Sequence, residues 1–168
     1  GETSTEGLGR LKTLFSAGIY PNATTLLYWE GGNDIITFLK DSDPLLLLSP
    51  SASDYPLTDK LTSVLDSTEA NISTAIAAAR DEGLSVYVAT YSPRPLAVLP
   101  CKPLLIPLMV PEQAAHANEY TVLLNDRIRQ AATHGGAVVV DVASDGQLSA
   151  STSYWENCNH LNEQGNAI

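Results

Sequence analysis

Basic residues are scarce in this chain: nine lysines and arginines face nineteen aspartates and glutamates, a formal net charge of −10. That balance excludes a nucleic-acid or anionic-membrane partner held by charge, because both need a positive face. An acidic surface otherwise favours solubility and identifies no substrate. Long apolar runs are missing as well. No stretch approaches the ~20 residues that cross a bilayer, and Leu45-Leu46-Leu47-Leu48 is bounded by Pro44 and Pro50, so no transmembrane segment is expected. There is no His-x-x-x-His, no Cys-x-x-Cys and no carboxylate cluster, which argues against a metal site, and nothing implies a cofactor. Internal repeats and low-complexity segments are absent. Only two cysteines occur, Cys101 and Cys158.

What remains is ordinary globular material. Hydrophobic residues make up 44% of the 168 and charged ones 17%, enough for one domain with a core. Thr3-Ser4-Thr5-Glu6 fits a capping box ahead of Leu8, Leu11, Leu14 and Phe15 at helical spacing, with Gly18 placed to end the helix. Thr24 to Trp29 reads as a buried parallel strand. Gly31-Gly32-Asn33-Asp34 then turns the chain into a short helix. A second long helix is expected over 58–82, with Ser67-Thr68 as a place for a bend and Gly83 as its stop. Leu84 to Tyr91 is the second strand. Six of the ten prolines fall between 93 and 111, which rules out a regular helix or central strand there. Between them lie Leu96, Val98, Leu99, Leu104, Leu105, Ile106, Leu108 and Met109, too apolar for a solvated linker. Either this segment packs over the sheet edge as a lid or it covers core surface and binds nothing. Pro111 opens a third long helix, in which His134 can complement the C-terminal dipole. It stops at Gly135-Gly136 before a third strand, residues 137–142. Helices between the strands imply right-handed crossovers and a parallel sheet covered on both faces. The chain opens on Gly1 directly in a capping sequence and stops at Ile168 as a loop begins to feed a helix. With three strong strands, this reads as one domain, 1–168, truncated at both ends; a small three-stranded domain is the other reading.

The turn Gly31-Gly32-Asn33-Asp34 delivers polar side chains to the carboxyl edge of the sheet, where open α/β folds bind ligands. His160 follows the third strand by a loop and lies towards the same edge, where it could act as a base or be a plain surface residue. A nucleotide or phosphate cradle fits poorly, because Asn33 and Asp34 supply acceptors and negative charge where N–H donors are needed.

Three segments in order, Gly1-Glu2-Thr3-Ser4, Gly32-Asn33-Asp34 and Asn157-Cys158-Asn159-His160-Leu161-Asn162, resemble the SGNH, or GDSL-type, hydrolases. These are esterases and lipases with a flavodoxin-like three-layer α/β/α fold around a parallel sheet. The match spans nearly the whole chain. The resemblance implies that Gly1 (backbone N–H) and Asn33 (side-chain amide) form the oxyanion hole, donors each worth roughly 10²–10³ in rate. It implies that His160 is the general base for a serine nucleophile.

Two departures stand out. No Gly-Asp-Ser occurs, and Ser42, Ser53 and Ser144, although near aspartates, follow no strand with the required glycine. The nucleophile and the first strands are therefore expected upstream. The family's Asp three residues before the His is Asn157 here, which leaves a Ser–His dyad held by a backbone carbonyl, Glu156 as a substitute, or a weak enzyme; the dyad with Asn157 as orienter is the favoured reading. The apolar loops 44–57 and 96–109, with Leu105 and Met109, and the turn residue Gly32 are expected to bind the acyl side of a lipid or simple ester substrate. If the proline-rich loop folds over the edge, a Cys101–Cys158 disulfide would close about 57 residues, worth about 4 kcal/mol, and imply a secreted or periplasmic protein; otherwise they are free thiols. Asn22-Ala23-Thr24 and Asn71-Ile72-Ser73 match glycosylation acceptors, tripeptides common by chance. The alternative from another class is a non-catalytic carbohydrate- or lipid-binding module on the same fold, which Asn157 makes possible.

Overall fold

A computed structural model describes residues 1–42, 59–102 and 106–168. In chain order the elements are α1 (Ser4–Ser16), β1 (Thr25–Tyr28), α2 (Gly32–Ser42), α3 (Asp59–Asp81) and β2 (Ser85–Ala89). They continue with β3 (Leu99–Pro100), β4 (Leu108–Met109), α4 (Pro111–Gly135), β5 (Val138–Val140) and α5 (Gln147–Ala150). Strands β1, β2 and β5 form a parallel sheet in that order, with Leu26 opposite Val86 and Val88 opposite Val139.

Local chemistry sets the helix ends. Thr3 caps α1 by accepting from the Glu6 N–H, while the Glu6 carboxylate accepts from the Thr3 N–H at 2.7 Å, and this capping box satisfies two donors that the helix leaves free. Pro111 opens α4, and Gly136, left-handed at φ 67°, closes it. α3 runs without a break through Ser67-Thr68. Thr68 is buried there and its Oγ1 donates to Val64 O at 2.9 Å, a bond to the carbonyl four residues back that satisfies the hydroxyl within the helix.

The core lies between the sheet and the helices. Ala75 and Ala79 of α3 and Ala131 and Ala132 of α4 have no exposed surface, and such small side chains let two long helices approach closely. Leu26, Tyr28, Val86, Val88 and Val139 turn towards them. The opposite sheet face is bare among the described residues. Leu27 is 65% exposed and Val138 54%, with Tyr87 and Val140 beside them also open. Coverage of both faces, expected from the apolar strands, is therefore present on one face only within the described residues. Alternation explains the difference, since each strand turns every second apolar side chain away from the helices.

The proline-rich segment is neither helix nor part of the main sheet. Leu99 pairs with Met109 and Pro100 with Leu108 in a two-residue antiparallel ladder, an edge position where proline is tolerated. Leu99 and Met109 point into the core. The loop 44–57 and Leu105 lie outside the described residues.

Candidate functional site

The site starts at the carboxyl end of β1. Gly31 takes φ 116°, a conformation that favours glycine, and turns the strand into α2. The Gly32 N–H donates to the Tyr91 hydroxyl at 3.1 Å. A Cβ on Gly32 would stand 2.9 Å from the Tyr91 ring, so this close approach requires glycine. Tyr91 is itself fixed: Asn125 accepts from its N–H at 2.8 Å and donates to its carbonyl at 2.9 Å. Its ring meets Trp29 with centroids 5.5 Å apart. Burial pushes the Tyr91 phenol well above its ordinary range, which keeps it a neutral partner for the turn.

Asn33 and Asp34 divide the work of placing the chain's first residues. Asp34 accepts from both the N–H and the hydroxyl of Ser4, each at 2.7 Å, and Asn71 Nδ2 donates to the same hydroxyl. Asp34 is thus a clamp between α1 and α2. Asn33 Nδ2 donates to Glu2 O at 3.0 Å, which uses one of its two N–H groups. A Cβ on Gly1 would lie 2.2 Å from that nitrogen, so Gly1 and the Asn33 amide are in direct contact. Glu30 is partly buried, beside Glu2 and 3.6 Å from Arg10. Burial, reinforced by the Glu2 carboxyl, raises Glu30 to about 7.

His160 is positioned by Asn157. The Asn157 Oδ1 accepts from the backbone N–H of Asn159 at 2.9 Å and of His160 at 3.1 Å, and lies 3.1 Å from His160 Nδ1. Backbone N–H groups only donate, so the atom facing them is the oxygen. Nδ1 must then carry the proton, and Nε2 is left as the basic nitrogen. Glu156 is exposed, and its backbone N–H donates to His160 O; the ring's partner is Asn157. Cys158 is joined to Cys101 by a disulfide, with Cα atoms 5.0 Å apart, and the Cys158 N–H donates to Pro100 O at 2.8 Å. The proline-rich segment thereby anchors the loop that carries His160.

A cavity of about 330 Å³ joins the Gly32 turn to the His160 loop, a volume in the range of small-molecule sites. Gly32, Tyr91 and His160 all line it, and Ile36, Leu124 and Trp155 give it apolar walls. Neither Gly1 nor Asn33 is among the lining residues; Asn33 follows Gly32 in the chain, and Gly1 reaches the site only through its contact with the Asn33 amide. Met109 is fully buried elsewhere, and no described residue of 96–109 forms a wall; α2, α4 and the chain after β5 do so instead. Arg94 and Asn159 also line the cavity; Asn159 lies within the 157–162 segment that carries the resemblance, whereas Arg94 belongs to no motif. For Arg94 the only signal was its place just after the second strand. Among the described residues no cluster of three His, Cys, Asp or Glu could hold a metal, and no helix is long and apolar enough to cross a membrane. No family model matches the chain, and neither a curated protein nor a solved structure does.

Proposed function

We propose that this protein is a carboxylic ester hydrolase of the SGNH type, working by acyl transfer through a serine that lies outside the described residues. The observation that carries the reading is the Asn157–His160 pair, which leaves a basic Nε2 on a residue lining the same cavity as the Gly32 turn. In this scheme the serine Oγ attacks the ester carbonyl while Nε2 takes its proton. The Gly1 N–H and the second Asn33 Nδ2–H stabilise the oxyanion, and His160 passes the proton to the departing alkoxide. Water then attacks the acyl-enzyme, giving its proton to Nε2, and the serine is regenerated as the acid leaves. The apolar walls suit an aliphatic or aromatic acyl group. A three-layer fold is part of the proposal, supported by the uncovered apolar sheet face around Leu27 and Val138, since parallel sheets are covered on both sides. Export to an oxidising compartment is supported by the buried disulfide.

One described serine lines the cavity, Ser92, and its hydroxyl donates to Pro93 O at 3.1 Å, not to the imidazole. Fluorophosphonate labelling of the full-length protein with peptide mapping tests the reading. A serine should label in the wild type and in Ser92→Ala, and labelling should vanish in His160→Ala. A second reading, a non-catalytic carbohydrate- or lipid-binding module, is favoured by Asn157 itself, because a carboxamide cannot offset an imidazolium. It is the correct one if the wild type takes no label.

A further inference from the structure

Arg94 has a charge that the described protein does not neutralise. Its backbone is clamped by Asn118, which accepts from the Arg94 N–H at 2.7 Å and donates to its carbonyl at 2.9 Å. The guanidinium is held equally firmly. Nε donates to Cys158 O, Nη1 to Thr121 Oγ1 at 3.0 Å and Nη2 to Asn159 Oδ1 at 2.8 Å. All three acceptors are neutral. The ion pairs among the described residues belong to Arg10, Arg127 and Arg129; none involves Arg94. Burial lowers its pKa to about 10, which leaves it charged at neutral pH. Withdrawing a charge from water without a counter-ion is costly, and here the charge lines a cavity.

A second observation points the same way. Because the guanidinium only donates, the Asn159 oxygen must face it, which fixes the amide with Nδ2 on the other side. That Nδ2 is buried and has no hydrogen-bond partner. A guanidinium carries five N–H groups; three are used, leaving one on each Nη. Arg94 and Asn159 together therefore offer a surplus of fixed donors in a cavity whose apolar walls include Leu124, Leu148 and Trp155. Donors in excess, a net positive charge and apolar walls together describe a receptor for an apolar body ending in a carboxylate.

We propose that Arg94 and Asn159 form a carboxylate subsite in the cavity, so that the preferred substrate is an anionic ester carrying a free carboxylate on its acyl chain. The kinetic half of this proposal rests on the ester-hydrolase reading; the binding half does not. One N–H remains on each Nη of the planar guanidinium, the side chain best suited to receiving a carboxylate. An overall charge of −10 would repel such a substrate elsewhere on the surface, so selectivity is concentrated at this point.

The test compares 4-nitrophenyl hydrogen glutarate with 4-nitrophenyl valerate, and measures binding of glutarate itself by calorimetry on the full-length protein. The wild type should favour the glutarate ester, and Arg94→Gln should lose about 10- to 100-fold of that preference, the worth of a charge-assisted hydrogen bond, read as the ratio of the two kcat/KM values so that any loss common to both esters cancels. Arg94 also braces the His160 loop, so a second variant guards against misfolding. Asn159→Asp places the missing counter-ion beside Arg94, and should raise the melting temperature while abolishing glutarate binding. Equal losses on both esters in Arg94→Gln, or glutarate binding retained in Asn159→Asp, would overturn the proposal. If neither ester is cleaved but glutarate binds the wild type and not Asn159→Asp, the subsite stands and the hydrolase reading falls. If glutarate does not bind the wild type, the subsite is wrong whatever the esterase result.

Discussion

Asn157 Oδ1 serves three donors with one oxygen, two backbone N–H groups and the His160 ring. A carboxylate at this position would keep all three hydrogen bonds and add a negative charge where the imidazolium forms. In the serine-protease triad the Asp-to-Asn change costs ~10⁴ in rate because the amide imposes the wrong tautomer; Asn157 keeps the right one, so only the charge is missing, and Asn157→Asp should raise kcat by about tenfold with KM little changed. Steady-state kinetics on a 4-nitrophenyl ester checks it; an unchanged kcat would mean that proton transfer does not limit turnover. Glu30 supports a different prediction. Its folded pKa of about 7 lies above the usual carboxyl value near 4.3, so the folded state holds a proton that the unfolded chain has released. The associated stability is complete below pH ~4.3 and is lost as pH rises through about 7. Glu30→Gln should flatten this decline between pH 4.5 and 7.5, measured by urea midpoints across that range. An identical slope in the variant would show that Glu30 is not the group responsible.

At the scale of elements, the turn after β1 and the loop after β5 meet because each is tied to a third piece of chain. Asp34 ties α2 to the start of α1, and the disulfide ties the His160 loop to the β3–β4 ladder. Replacing Cys101 and Cys158 with serine should cost about 4 kcal/mol of stability by the loop-closure relation, and should lower activity more than stability alone explains, because Pro100 also holds the Cys158 N–H. Chemical denaturation and kinetics on the double variant read both effects; full activity in the variant would mean the ladder does not position His160. The capping box at Thr3, the Gly-Gly turn and the helix opened by Pro111 were legible in the sequence, because each depends on neighbours within four residues. The β3–β4 ladder was not, since two-residue strands among prolines leave no periodicity to read. Arg94 was missed for a related reason: its partners Thr121 and Asn159 are 27 and 65 residues away, and nothing local marks a guanidinium whose acceptors all come from distant segments.

For the whole molecule, the bare face of the sheet is the feature that most needs an account. The apolar strands suggested a sheet buried on both sides, yet the alternation puts Leu27, Tyr87 and Val138 in a row across three strands with nothing described above them. If a further layer covers this face in the full-length protein, Leu27→Lys should destabilise by about 2 kcal/mol or more, whereas a free surface position changes within about 0.5 kcal/mol. Urea unfolding decides between these. The same architecture underlies the central claim, that a backbone amide at Gly1, the Asn33 amide and the His160 imidazole serve one reacting carbonyl. The most direct measurement is the single-turnover acylation rate of wild-type, Asn33→Ala and His160→Ala full-length protein with 4-nitrophenyl acetate. The proposed chemistry requires Asn33→Ala to slow acylation by about 10²–10³ with substrate binding unchanged, and His160→Ala to abolish it. Acylation at the wild-type rate in Asn33→Ala would contradict it.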